Sequence, residues 1–136
     1  LDERTSLFCN ILRDADKVDI LRVNVETPLE EIYNTTREEL LHADVTPAVV
    51  ESFYEHHATL RSLKKTPVDH IVGHVSLLFE LVFPKSLQIA QQQGYWKKLI
   101  AFPVENPETL ATFRRLEAEM ERFIENRMNG LCGKCL

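Results

Sequence analysis

No stretch of this sequence stays apolar for anything like the ~20 residues that a membrane-crossing helix needs. The longest candidate, Ile71 to Phe83, is interrupted by Gly73, His74, Ser76 and Glu80. The N-terminus lacks a charged-then-apolar leader. Basic residues are in deficit: 16 Lys and Arg stand against 21 Asp and Glu, a formal net charge of −5. Neutralising a run of phosphates takes a clear Lys/Arg surplus, so no general binding to DNA or RNA is expected. Three cysteines, an odd number, give no disulfide framework and suit a reducing compartment. With no membrane partner indicated, cytoplasmic is the default location. Period-2 alternation bounded by hairpin turns is missing, as are internal repeats, low-complexity tracts and any linker long enough to divide the chain.

What remains is the composition of one soluble globular domain spanning 1–136, 44% hydrophobic and 27% charged, with enough residues to bury a core. The chain begins at Leu1 inside what reads as a helix, which suggests part of a longer polypeptide. Proline marks the expected helix starts. Thr27-Pro28, Thr46-Pro47, Thr66-Pro67 and Asn106-Pro107 each place an N-cap residue before a proline suited to the first helical position. Glu30, Glu39 and Asp69 fall three residues after Thr27, Thr36 and Thr66, as in a capping box.

From these signals the sequence predicts an all-α bundle of six or seven helices. A first helix is expected over about residues 3–23, with Leu7, Phe8, Ile11, Leu12, Ala15 and Val18 as its apolar stripe. Short helices are expected near 28–33 and 37–42, and longer ones over 47–63 and 67–82. The 67–82 segment is apolar nearly all round and should form the buried centre. Pro84 then interrupts; a helix near 85–92 ends at Gly94, a short one follows over 95–101, and the last, 107–129, stops at Gly130.

The chemistry concentrates in the first helix. On a helical wheel Asp16 borders the apolar stripe and Asp19 lies inside it. Carboxylates turned towards a core are costly unless paired, hydrogen-bonded or bound to a metal. Two readings follow: one carboxylate braces a neighbouring helix through backbone N–H groups, or one ligates a metal while the other orients a neighbour.

The run Arg13-Asp14-Ala15-Asp16-Lys17-Val18-Asp19-Ile20-Leu21 resembles the last metal-binding motif of the HD superfamily of metal-dependent phosphohydrolases. That motif is an Ala-Asp pair on a helix, with a second Asp three residues on. It covers about ten residues. Lys65-Thr66-Pro67-Val68-Asp69-His70 and Gly73-His74 are similar to the tail of small bacterial HD-domain proteins. The resemblance implies an irregular orthogonal helical bundle of which this chain is the distal half. It also implies a metal held by a His, a His-Asp doublet and a final Asp. Carried over by position, the final ligand is Asp16, and Asp19 matches the second acidic residue of the motif.

The implied cofactor is Mg²⁺, Mn²⁺ or iron, which would lower the pKa of bound water and polarise a phosphoryl oxygen. The implied substrate is a phosphoester or nucleotide. The chain departs from the family in having no His-Asp doublet, and no histidine precedes Asp16. One carboxylate cannot hold a catalytic ion. Taken alone, the chain is therefore expected to bind no metal and to be inactive, with the other ligands upstream of Leu1 or on another polypeptide. The alternative is a non-catalytic helical module for interaction or dimerisation.

His70 and His74, at i and i+4, share a helix face; they read as structural histidines that would line a cleft in a complete domain. Arg61, Lys64 and Lys65 form a compact basic cluster before Pro67, either a phosphate-binding group or a solvated helix end. His56 and His57 point about 100° apart and read as boundary residues. Cys132-Gly133-Lys134-Cys135 lacks the context of a zinc or redox site and reads as a frayed tail over 130–136. Leu110, Phe113, Leu116, Met120, Phe123 and Ile124 on the last helix read as core or dimer contacts, which makes a homodimer an expectation.

Overall fold

The computed structural model describes residues 2–135, with side chains through residue 130. Among them are eight α-helices and no strand: α1 Glu3–Glu26, α2 Leu29–Ile32, α3 Arg37–His42, α4 Pro47–Tyr54, α5 Pro67–Ser76, α6 Pro84–Gln93, α7 Tyr95–Ile100 and α8 Pro107–Cys135. Two 3₁₀ turns, Arg61–Leu63 and Leu77–Glu80, complete the path. No helix among these residues is long and apolar enough to cross a membrane.

The all-α expectation holds, and α5 is the centre of the molecule. Val68, Ile71, Val72 and Val75 are fully buried there, packed with Leu40, Val49, Phe53, Trp96, Phe113, Leu116 and Met120 from the surrounding helices. Phe113, Leu116, Met120 and Ile124 on α8 are buried in the core, whereas Leu110 stands 38% exposed. Prolines at 47, 67 and 107 begin helices as expected. Asn106 caps α8 through its amide oxygen, which accepts from the Glu108 N–H at 3.0 Å. Thr27-Pro28 does not behave this way: α1 runs on to Glu26, and Leu29 opens the next helix.

Three further boundaries differ from the sequence expectation, two of them for a visible reason. α4 stops at Tyr54 rather than near residue 63 because His56 adopts φ 62°. The His56 N–H bonds the Phe53 carbonyl, and the His57 N–H bonds that of Ser52. This is a Schellman ending with histidine where glycine is usual. The His56 ring makes the position tolerable: Nε2 lies 2.7 Å from Glu119, and the ring stacks on Phe79 at 4.9 Å. α5 tightens at Ser76, whose buried hydroxyl donates to the Gly73 carbonyl at 2.6 Å and so competes with the helical ladder. α8 continues through Gly130, which was expected to stop it; the side chains of Cys132 and Cys135 lie outside the described residues.

The first helix carries the largest correction. Its inward face is Asp14, Leu21 and Asn24, with Val18 and Val25 packed beside them. Asp16 and Asp19 are exposed, not turned to the core. The wheel assumed that the apolar stripe is the buried one, and in the N-terminal half of α1 it is not. The carboxylate inside is Asp14, at 2% exposure, and it accepts from the Val82 and Phe83 backbone N–H groups at 2.9 Å each.

Asp14 therefore holds the connector ahead of Pro84. Burial works to raise its pKa, but the Ser86 hydroxyl, those two N–H groups and Lys17 outweigh burial and hold it below the ordinary 3.8. A depressed folded-state value means the stabilisation is present above the ordinary value and is lost as pH falls through the folded one. Asp14→Ala should lower the unfolding free energy at pH 7 by about 2 kcal/mol, because two part-buried donors lose a charged acceptor. Asp16→Ala should change it by less than ~0.5 kcal/mol. Urea titration of both variants checks this: equal effects would mean that Asp14 does not hold the connector.

Candidate functional site

Two places bring chemistry-bearing side chains together. One is the outer face of α1. Leu7, Phe8, Ile11 and Leu12 stand at 48%, 53%, 45% and 69% exposure, an apolar run that no described residue covers. Asp16 and Asp19 follow Leu12 by four and seven residues, so they continue that face. Asp19 pairs with Arg22 at 2.8 Å, and Arg22 also reaches Glu26 at 2.7 Å. Alongside, α1 and α6 enclose two shallow cavities of about 280 Å³ each. Ala15 and Val18 line both, with Ile11 and Phe83 in the first and Asp19 and Arg22 in the second.

Among the described residues no three His, Cys, Asp or Glu side chains come together in a group that could hold a metal ion. Asp16 and Asp19 alone do not fit the divalent ion that the resemblance implies, since such an ion takes about six ligands.

The other place is a cleft of about 430 Å³ between the α2–α3 loop, the 61–63 turn and α5, lined by Tyr33, Asn34, Thr59, Arg61, Lys64, His70 and His74. The structure thus joins the two histidines to two members of the basic cluster. Lys65, the third, is exposed and does not line the cleft; its backbone N–H bonds Asp69 at 2.8 Å. Asp69 is fully buried and also accepts from the N–H groups of Thr46 and Thr66, which pins the start of α5 and everything it carries.

Tyr33 organises the cleft wall. Its ring stacks on His70 at 5.0 Å and on His74 at 5.5 Å. Its hydroxyl lies 2.7 Å from Asn24 Oδ1 and 2.9 Å from His74 Nδ1. Burial pushes the phenol pKa up, so the hydroxyl keeps its proton. Burial, then the charges of Lys64 and His70, lower His74 to about 4, so its imidazole is neutral at pH 7. His70 is lowered for the same first reason, with Lys64 next.

Tyr33, Asn24, Asn34 and Thr59 were not picked out in the sequence. Asn24 had a usable signal: it follows Leu21 by three and Asp14 by ten, which marks the inward face of α1. Tyr33 and Thr59 sit in short or irregular segments that give no periodicity to read.

A comparison of the chain with protein-family models, with curated proteins and with solved structures finds no match.

A histidine whose folded pKa lies below its free value of 6.5 destabilises the fold as pH falls, because the unfolded chain takes the proton first. The His74 contribution should therefore fall between pH 6.5 and about 4 and level off below, where the loss of the Asp14 contribution takes over. His74→Gln should flatten that part of the curve. NMR titration of the His74 ring checks the origin: a midpoint near 4 is expected, and one near 6.5 would refute it.

Proposed function

We propose that this chain is the distal helical part of an HD-type metal-dependent phosphohydrolase acting on a phosphoester or nucleotide. In this reading it contributes one metal ligand, Asp16, with Asp19 supporting the site. The observation that carries it is the outer face of α1, where four large exposed apolar side chains lead directly into these two carboxylates. An exposed apolar run of this kind marks a surface meant to be covered. Whatever covers Leu7, Phe8, Ile11 and Leu12 also reaches Asp16, and so could supply the His and His-Asp ligands. When bound, the ion would supply an activated water and charge neutralisation at the phosphoryl group. This chain's own part is to fix one carboxylate on a long helix anchored by Asp14, Leu21 and Asn24.

The same face favours a second reading, a non-catalytic module whose exposed stripe binds a partner helix or a second copy. The two readings separate on Asp16. The coding sequence in frame upstream of Leu1 should be read first, and the longer polypeptide expressed if it carries a His and then a His-Asp doublet. With Mn²⁺ and a generic phosphoester, Asp16→Ala should lower kcat by more than the ~10–100-fold that loss of a ligand's supporting partner costs, and Asp19→Ala by about that amount. Both variants should keep the wild-type unfolding midpoint. Unchanged turnover in Asp16→Ala, or an upstream region without those ligands together with partner binding insensitive to Asp16, would favour the interaction module.

A further inference from the structure

We infer that the cleft between the α2–α3 loop, the 61–63 turn and α5 is a binding site for a phosphate dianion, free or as the terminal group of a small phosphorylated molecule. The site is separate from the acidic face of α1. No α1 residue lines it, and the one bonded to its wall, Asn24, lies eight residues beyond Asp16, roughly 12 Å along the axis and ~80° around it. The inference therefore does not depend on the HD-type reading.

Charge is the first argument. Arg61 and Lys64 bring two positive charges to one cavity, and among the described residues neither forms an ion pair. The carboxylate nearest in sequence, Asp69, is already engaged by Thr46, Lys65 and Thr66. In a chain with a net charge of −5, two adjacent cations face one nearby carboxylate, Asp69, and neither is ion-paired to it, which leaves a positive excess for an anion from solution.

The second argument is how Lys64 is placed. It crosses Gly73 so closely that a Cβ there would come within 2.5 Å of Cε and 2.8 Å of Nζ. Gly73 is buried on α5, and its missing side chain is the space in which the lysine stem lies. The ammonium is thereby brought in against the helix that carries His70 and His74, instead of extending into water. Burial, with the Arg61 charge behind it, lowers the lysine's pKa against the opposing pull of the Asp69 carboxylate.

The third argument is the rest of the wall. The neutral His70 imidazole can donate to a phosphate oxygen without adding a charge, while the His74 Nδ1–H is turned to Tyr33 and the Thr59 hydroxyl lies 3.3 Å from Ser76 Oγ. The cavity volume of about 430 Å³ lies within the range of small-molecule sites.

Titration of the chain with inorganic phosphate, with ribose 5-phosphate and with acetate, read by NMR at the His70 and His74 ring protons, tests this. Saturable shifts with the two phosphates and none with acetate are expected. The tighter of the two phosphates identifies whether the site takes the free ion or a phosphorylated molecule. Lys64→Met should weaken binding roughly ten- to a hundredfold, the worth of one charge-assisted hydrogen bond. Arg61→Met, at an exposed position, should weaken it as well, and Gly73→Ala should do so by displacing the lysine. Lys65→Met, outside the cleft, should change nothing. Absence of saturable shifts, equal response to acetate, or unaltered phosphate binding in both Lys64→Met and Arg61→Met would overturn the assignment.

Discussion

The connector Leu81–Phe83 is a bent, non-helical strip of backbone in a helical protein, and the packing of α1 and α8 depends on how its polar groups are met. Pro84 forces the residue before it out of the helical region, and Phe83 accordingly sits at φ −100° and ψ 134°. The 3₁₀ turn ahead of it has ended, so the connector has no ladder of its own. Asp14 from α1 takes the N–H groups of Val82 and Phe83, and Arg127 from α8 donates to the carbonyls of Leu81 and Val82 at 2.7 and 2.9 Å. Buried backbone groups left unpaired would cost as much as lost hydrogen bonds. The two longest helices are thus joined through a three-residue strip that belongs to neither, with an acid facing its donors and a base facing its acceptors.

Much of the fold was legible because its punctuation is local. Proline at a first helical position and a polar residue before it are chemistry that a sequence displays directly, and the starts at Pro47, Pro67 and Pro107 follow from it. The hydroxyls were harder to read. Thr66 does begin α5, but its Oγ1 donates to the Asp44 carbonyl, and the Thr46 hydroxyl goes to Asp69, so both threonines tie neighbouring segments together. Where boundaries were misjudged, the cause was non-local. His56 can hold a left-handed ending because Glu119 and Phe79, both far away in sequence, reward its ring for being there.

The acidic run of α1 is plain in the sequence, but its orientation is not. Periodicity shows which residues of α1 share a face and not which face meets the body. The stripe from Leu7 to Leu12 is more apolar than the arc of Asp14, Leu21 and Asn24, yet the latter is buried. A polar inward arc succeeds because each of its polar atoms has a partner: Asp14 at the connector, and Asn24 at the Ile20 carbonyl and at Tyr33. The cleft was half visible. Arg61, Lys64, His70 and His74 stood out as residue types, while their convergence depends on a tyrosine from a four-residue helix's edge and on the glycine that lets a lysine lie flat.

One consequence concerns where a single proton sits. The Asn24 amide group donates to the Ile20 carbonyl at 2.9 Å, which fixes Oδ1 as the end that faces Tyr33. The phenol has only one hydrogen to give, and Asn24 Oδ1 takes it. Towards His74 the oxygen can then only accept, so the imidazole must present Nδ1–H, and its Nε2 is left with the lone pair. The backbone of the first helix thereby dictates, through two side chains, the tautomer of a histidine on the fifth.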